Sequence, residues 1–231
     1  QLEITEQLAR AADTDDNDWQ RDRTLSYDRV GEVLMAQDKL PEALEVLRSG
    51  LTIKERLAKA HPDNTGWQRS LLRSYDRIGD ALVAQGKLPD ALTSFRKGLE
   101  IAQQLSRAEP DNAGWLRDLS VSHGKIGDVL VAQSSLPDAL KSFHEGLTIR
   151  QRLATADPDN FDWQRGLAVS YDRIGDVLLV QENMAGALEA FRDQLAIAER
   201  LAHAHPGNTG WQRDLSVSHE KVGDVLVAQS S

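Results

Sequence analysis

The chain has 231 residues, 27 Lys and Arg against 36 Asp and Glu, a net charge of −9 and no cysteine. That balance argues against nucleic acid, whose binding needs clustered cations to displace counterions from phosphate, and the missing thiols exclude disulfides, a thiolate nucleophile and a Cys-ligated metal. No apolar run approaches the roughly 18 to 20 residues of a membrane span, and no secretory leader pattern is present, so the expectation is a cytoplasmic protein with no membrane and no nucleic-acid partner.

The chain repeats itself. Trp19, Trp67, Trp115, Trp163 and Trp211 are spaced by 48 residues, as are Gly31, Gly79, Gly127, Gly175 and Gly223, and Ala43, Ala91, Ala139 and Ala187. A fixed period of 20 to 50 residues marks a stacked repeat array, in which each unit packs only on its neighbours. In chain order, residues 1–18 read as a partial repeat, the second half of a unit followed by the acidic linker DTDDND. Four full repeats follow at 19–66, 67–114, 115–162 and 163–210, and residues 211–231 match only a first half. The chain therefore reads as a piece of a longer array, such as a segment of a larger signalling or effector protein.

Each repeat divides into two helices. The first is predicted from about Trp19 to Gln37, with apolar residues at 19, 27, 30 and 34 on one stripe, and with Asp and Asn before the Trp as N-caps. Pro41 opens the second helix, predicted over 41–60, at a position where its missing N–H costs nothing. His61-Pro62 closes it. Short loops make the two helices antiparallel. Gly31 and its equivalents are expected where the two backbones approach, and Gly50, Gly98 and Gly146 where one pair meets the next. The fourth repeat has Met184-Ala185-Gly186 in place of Leu-Pro-Asp/Glu and Gln194 at the small position. Its second helix is expected to start less sharply.

Tyr75, Ile78-Gly79, Leu82, Gly86, Ala91, Phe95 and Gly98 follow the spacing of the tetratricopeptide repeat. The pattern resembles that family in each of the four units, with a 48-residue period in place of 34, as in kinesin-light-chain-like arrays. His123 and His219 replace the aromatic residue. The resemblance implies an all-α, right-handed superhelical solenoid of antiparallel helix pairs. It also implies a concave face lined by first helices that binds a protein or peptide.

The chemistry-bearing residues are few. The five tryptophans share the core stripe and read as packing residues. His203 and His205 are two apart on a helix and point to different sides, with no metal constellation around them. Ser122 and His123 are adjacent and point apart, and no phosphate loop or nucleophile motif is present, so no catalytic residue, metal or cofactor is expected.

Opposite the core stripe, the first helices carry Arg21, Asp28 and Glu32; Arg69, Asp76 and Asp80; Arg117 and Asp128; Arg165, Asp172 and Asp176; Arg213, Glu220 and Asp224. These are the candidate partner-binding residues. Stacked, they form acidic columns edged by arginine. That arrangement suits a basic or mixed peptide, or else bridges repeat to repeat. A second reading is structural: Ile4 and Leu8 at one end and Leu215, Val222 and Leu226 at the other are candidates for head-to-tail self-association.

Overall fold

The structure, a computed structural model, describes residues 17–230. Among these, nine helices and no strand occur. They are α1 (Asn17–Ala36), α2 (Leu40–Ala60), α3 (Thr65–Ala84), α4 (Leu88–Ala108), α5 (Ala113–Ala132), α6 (Leu136–Ala156), α7 (Phe161–Val180), α8 (Met184–Ala204) and α9 (Thr209–Gln229). The chain divides into two compact units that meet at Ala108 and Glu109. In the first, α1 packs on α2, α2 on α3 and α3 on α4. In the second, each helix from α5 to α9 packs on the next.

The helices α3, α5, α7 and α9 begin two residues before their tryptophans because the cap is the asparagine three residues ahead of each. Asn64 Oδ1 accepts from the Trp67 N–H at 3.1 Å, and Asn112, Asn160 and Asn208 do the same for Trp115, Trp163 and Trp211. Where the residue after the tryptophan is glutamine, it ties the helix to the preceding one. Gln68 Nε2 donates to the carbonyls of Ala58 and Pro62, and Gln164 to those of Ala154 and Pro158. The Ala58 and Ala154 carbonyls lie in the last turn of their helices, which leaves them without an internal partner.

The turn inside each repeat is a left-handed C-cap. The Lys87 N–H returns to the Leu82 carbonyl at 2.9 Å, and Gly86 between them has φ 71°. Asp38, Ser134 and Glu182 occupy the same position with φ 59°, 60° and 61°. Pro41 lies in the first turn of α2, as its sequence requires. Without that proline, α8 nonetheless starts at Met184, in register with Leu40, Leu88 and Leu136. The expected blurred start is absent because the Asn183 side chain accepts from the Gly186 N–H at 3.0 Å.

The core of each repeat lies between its two helices. Ala43, Ala91, Ala139 and Ala187 are fully buried. A Cβ on Gly79, Gly127 or Gly175 would lie 2.3–2.4 Å from Cε1 of Phe95, Phe143 or Phe191. These glycines therefore admit an aromatic ring from the second helix, where a backbone approach was expected. Gly50, Gly98 and Gly146 face Tyr27, Tyr75 and His123 of their own repeat. They set the spacing within a pair, which corrects the expectation that they lie between pairs. Trp67 and Trp115 are buried, while Trp19, Trp163 and Trp211 are half-buried.

Candidate functional site

The acidic columns are engaged within the fold. Arg77 pairs with Asp28 at 3.3 Å and with Glu32 at 2.7 Å, one repeat earlier. Arg173 pairs with Asp128 at 2.8 Å. Lys221 pairs with Asp172 at 2.5 Å and with Asp176 at 2.7 Å. The cations belong to a column at positions 29, 77, 125, 173 and 221, all Arg or Lys. Each lies one residue past the acid column, so the partners are 49 or 45 residues apart in sequence. Reading one helix at a time missed this column. The signal was present as a basic residue recurring every 48 positions.

Asp28 is not a surface residue. It is 6% exposed, and its carboxylate accepts two hydrogen bonds from Lys54 Nζ at 2.8 and 2.7 Å. Lys54 is 1% exposed and also donates to Ser74 Oγ at 2.6 Å. Burial pulls the Lys54 ammonium below its ordinary value, against the opposing pull of Asp28. This cluster joins α1, α2 and α3, and Lys54 was not singled out from sequence because it lies on a second helix.

Arginines and aliphatic side chains line the cavities between successive first helices. Within the first unit, a cavity of ≈ 460 Å³ between α1 and α3 is walled by Arg21, Leu25, Trp67, Arg69 and Arg73. Within the second unit, one of ≈ 420 Å³ lies between α5 and α7, with Arg117, Val121, Trp163 and Arg165 among its walls. Another of ≈ 370 Å³ between α7 and α9 is walled by Val169, Trp211, Arg213 and Val217. The tryptophans thus serve both the core and the cavity walls. Arg165 also reaches Asp214 at 3.7 Å, both side chains largely exposed. Asp80 is half-buried, while Glu220 and Asp224 are exposed.

The remaining candidates separate. Ser122 Oγ donates to the Asp118 carbonyl at 3.1 Å and takes no part with His123. His123 is buried. Its Nδ1 lies 3.1 Å from Glu145 Oε2 at an angle that makes no hydrogen bond. Burial lowers its pKa and Glu145 opposes this. His219, in the same slot of α9, is 59% exposed. His203 and His205 are exposed, and the His205 ring packs on Phe161 and Trp211 at 4.5 and 4.7 Å. Among the described residues, no three His, Asp or Glu side chains are placed to hold a metal, and no helix is long and apolar enough to cross a membrane.

Of the self-association candidates, Ile4 and Leu8 lie outside the described residues. Val222 packs with Val225 against Ala187, Leu188 and Phe191 of α8, so it does not present a free apolar surface. Leu215 is half-buried and Leu226 is 44% exposed.

Paired antiparallel helices of fixed period, in which a glycine admits Leu47, Phe95, Phe143 or Phe191 from the second helix, with a cavity-bearing first-helix face, make a helical repeat with the tetratricopeptide-type fold. Residues 71–106 match the tetratricopeptide repeat family. A search of the curated proteins returns no match to the chain. Among solved structures, BtubC (BKLC) from P. vanneervenii is similar at 17% identity and TM-score 0.68, over 99% of this chain and 83% of that one. The apo form of RapI is similar at 16% identity and TM-score 0.63, over 96% and 75%. A protein of Podosopora anserina described as a kinesin light chain with nearly identical TPR-like repeats is similar at 18% identity and TM-score 0.63, over 90% of each chain. At these identities the likeness establishes the fold alone.

Proposed function

We propose that the chain is a non-catalytic interaction scaffold whose first-helix face receives a protein or peptide segment carrying carboxylates and aliphatic side chains. Tetratricopeptide-type repeats commonly serve as such scaffolds. The observation that carries the sign of the partner is the pairing of the acid columns. A basic segment would have to displace Arg77, Arg173 or Lys221 from carboxylates they already hold. Arg21, Arg73, Arg117 and Arg213 line the cavities between first helices beside Leu25, Val169 and Val217, which are 39–44% exposed. That combination complements acidic residues interleaved with aliphatic ones.

Selection from a random displayed-peptide library on the whole chain tests this. Enriched sequences should combine Asp or Glu with Leu, Ile or Val. Binding should weaken as salt rises and be lost in the double variant Arg73→Glu, Arg117→Glu. Enrichment of Lys- and Arg-rich peptides, or enrichment that survives that double variant, overturns the reading.

A further inference from the structure

The cavity between α5 and α7 lacks two carboxylates that the α7–α9 cavity has in Asp172 and Asp214, and one that the α1–α3 cavity has in Asp28. Position 124 is Gly, where the repeats have Asp28, Asp76, Asp172 and Glu220. Position 166 is Gly, where Asp22, Asp118 and Asp214 stand in other repeats and Ser70 in the second. Each acid has a defined role elsewhere. Asp28 neutralises Lys54 and Arg77, and Asp214 answers Arg165. Their counterparts here are Arg150 and Arg173 for the first, and Arg117 for the second. The cations have been kept while the acids have gone.

The side chains have rearranged around the gap. A Cβ on Gly124 would lie 2.8 Å from Arg173 Nη1, so the guanidinium tip occupies the space an aspartate would take. Arg173 retains one carboxylate, Asp128 at 2.8 Å. Arg150 reaches in from α6 and donates to neutral groups: Ser120 Oγ at 3.4 Å, Ser170 Oγ at 3.1 Å and the Gly166 carbonyl. Burial and the nearby charges of Arg173 and Arg117 pull the Arg150 guanidinium down to about 10, against Asp128. One carboxylate, Asp162, lies on the wall, and the cavity holds ≈ 420 Å³.

From the two glycines and the three arginines around them, we infer that this cavity is an oxyanion site. It takes a phosphate or carboxylate group between Arg117, Arg150 and Arg173. A guanidinium offers paired donors in the geometry such anions accept. The serines and the Gly166 carbonyl hold Arg150 in place without neutralising it. The volume admits more than the anion itself, so the ligand is a small phosphorylated or carboxylated compound, or one acidic group of a larger one.

The experiment uses inorganic phosphate and acetate as probes on the whole chain, against sodium chloride at matched ionic strength. Thermal unfolding and the backbone and Arg side-chain NMR signals serve as readouts. At least one of the two anions should raise the melting temperature saturably and shift the Arg150 and Arg173 resonances. Response to phosphate alone identifies a phosphoryl ligand, and equal response to acetate identifies a carboxylate. Gly124→Asp restores the missing acid by displacing only the flexible tip of Arg173. It should melt higher than the parent without ligand and lose the anion response. Arg117→Gln, at an exposed position, should keep the parent's stability and weaken anion affinity about tenfold, the order of one charge-assisted contact. An anion response equal in the parent and Gly124→Asp, or no saturable response to either probe, overturns the site. Because the probes are inorganic phosphate and acetate, failure here is separate from failure of the peptide selection.

Discussion

Where α1, α2 and α3 meet, Lys54 and Arg77 share the carboxylate of Asp28, the Lys54 ammonium is closed to solvent, and the cavity beside them has that carboxylate on its wall. Where α5, α6 and α7 meet, the corresponding cations are Arg150 and Arg173, the corresponding residue is Gly124, and the cavity beside them has no acid at that position. The backbone plan is the same in both places. Exchange of one acid for glycine leaves the cations around the second hollow without the carboxylate that Asp28 supplies in the first. In an array of near-identical units, residues that recur serve stacking. The place to look for a ligand is where the period is broken while the neighbouring positions keep their charge.

The comparison is broken most severely at Asp28. Asp28→Ala leaves a buried ammonium without its counter-charge and should cost about 3 to 5 kcal/mol in chemical unfolding. The large cost is the burial of Lys54, so the double variant Asp28→Ala, Lys54→Met should recover most of it. If the single variant costs under about 1 kcal/mol, Lys54 finds water in the folded state and the cluster is not closed.

A smaller effect comes from the glycines. Gly127→Ala places a methyl 2.3 Å from the Phe143 ring and should cost about 1 to 3 kcal/mol by overpacking. Gly223, the same position in α9, has nothing within 4 Å of its would-be Cβ. Gly223→Ala should therefore gain up to about 1 kcal/mol from helix propensity. Equal melting shifts of the same sign would show that the aromatic crossing does not set the packing.

The smallest effect is a pH dependence confined to the third repeat. His123 sits where repeats one, two and four have Tyr27, Tyr75 and Tyr171. Its pKa is lowered by burial, with Glu145 opposing. The unfolded chain therefore takes up a proton near the ordinary histidine value of about 6.5 while the folded chain resists it. Stability from this group is complete above that value and declines as pH falls below it. His123→Tyr should flatten the slope of unfolding free energy between about pH 7 and 5. A slope identical to the parent's would mean that the imidazole is charged inside the fold.

Much of this architecture was legible in the sequence. The 48-residue period, the apolar stripes and Pro41 placed both helices of each repeat to within about two residues. What was read incorrectly involved relations between helices. The direction in which Gly50 faces, and the column formed by Arg77, Arg173 and Lys221, depend on which helix lies opposite. A single-helix projection carries no information about that. The start of α8 differs for another reason: Ala185 stands where Pro41, Pro89 and Pro137 open the other second helices, and the Asn183 cap takes over that role. Gly124 was visible as an exception in its column. Without Arg150, which enters from a second helix, nothing marked it as more than a gap.

The ion pairs between repeats have one further consequence. Because Arg77, Arg173 and Lys221 find their acids a fixed 45 or 49 residues back, inserting or deleting a whole 48-residue unit leaves these rungs with a partner of the right sign. Insertion of any other length destroys the register at once. The ladder thus acts as a proofreading rule for growth by duplication: lengths change in whole units or the stack loses its charge pairing. Under that rule, copying the first repeat lengthens the array with Asp28 and its ion cluster repeated. Copying the stretch that carries Gly124 and Gly166 multiplies the cationic hollows, so valence toward a ligand can evolve by duplication alone.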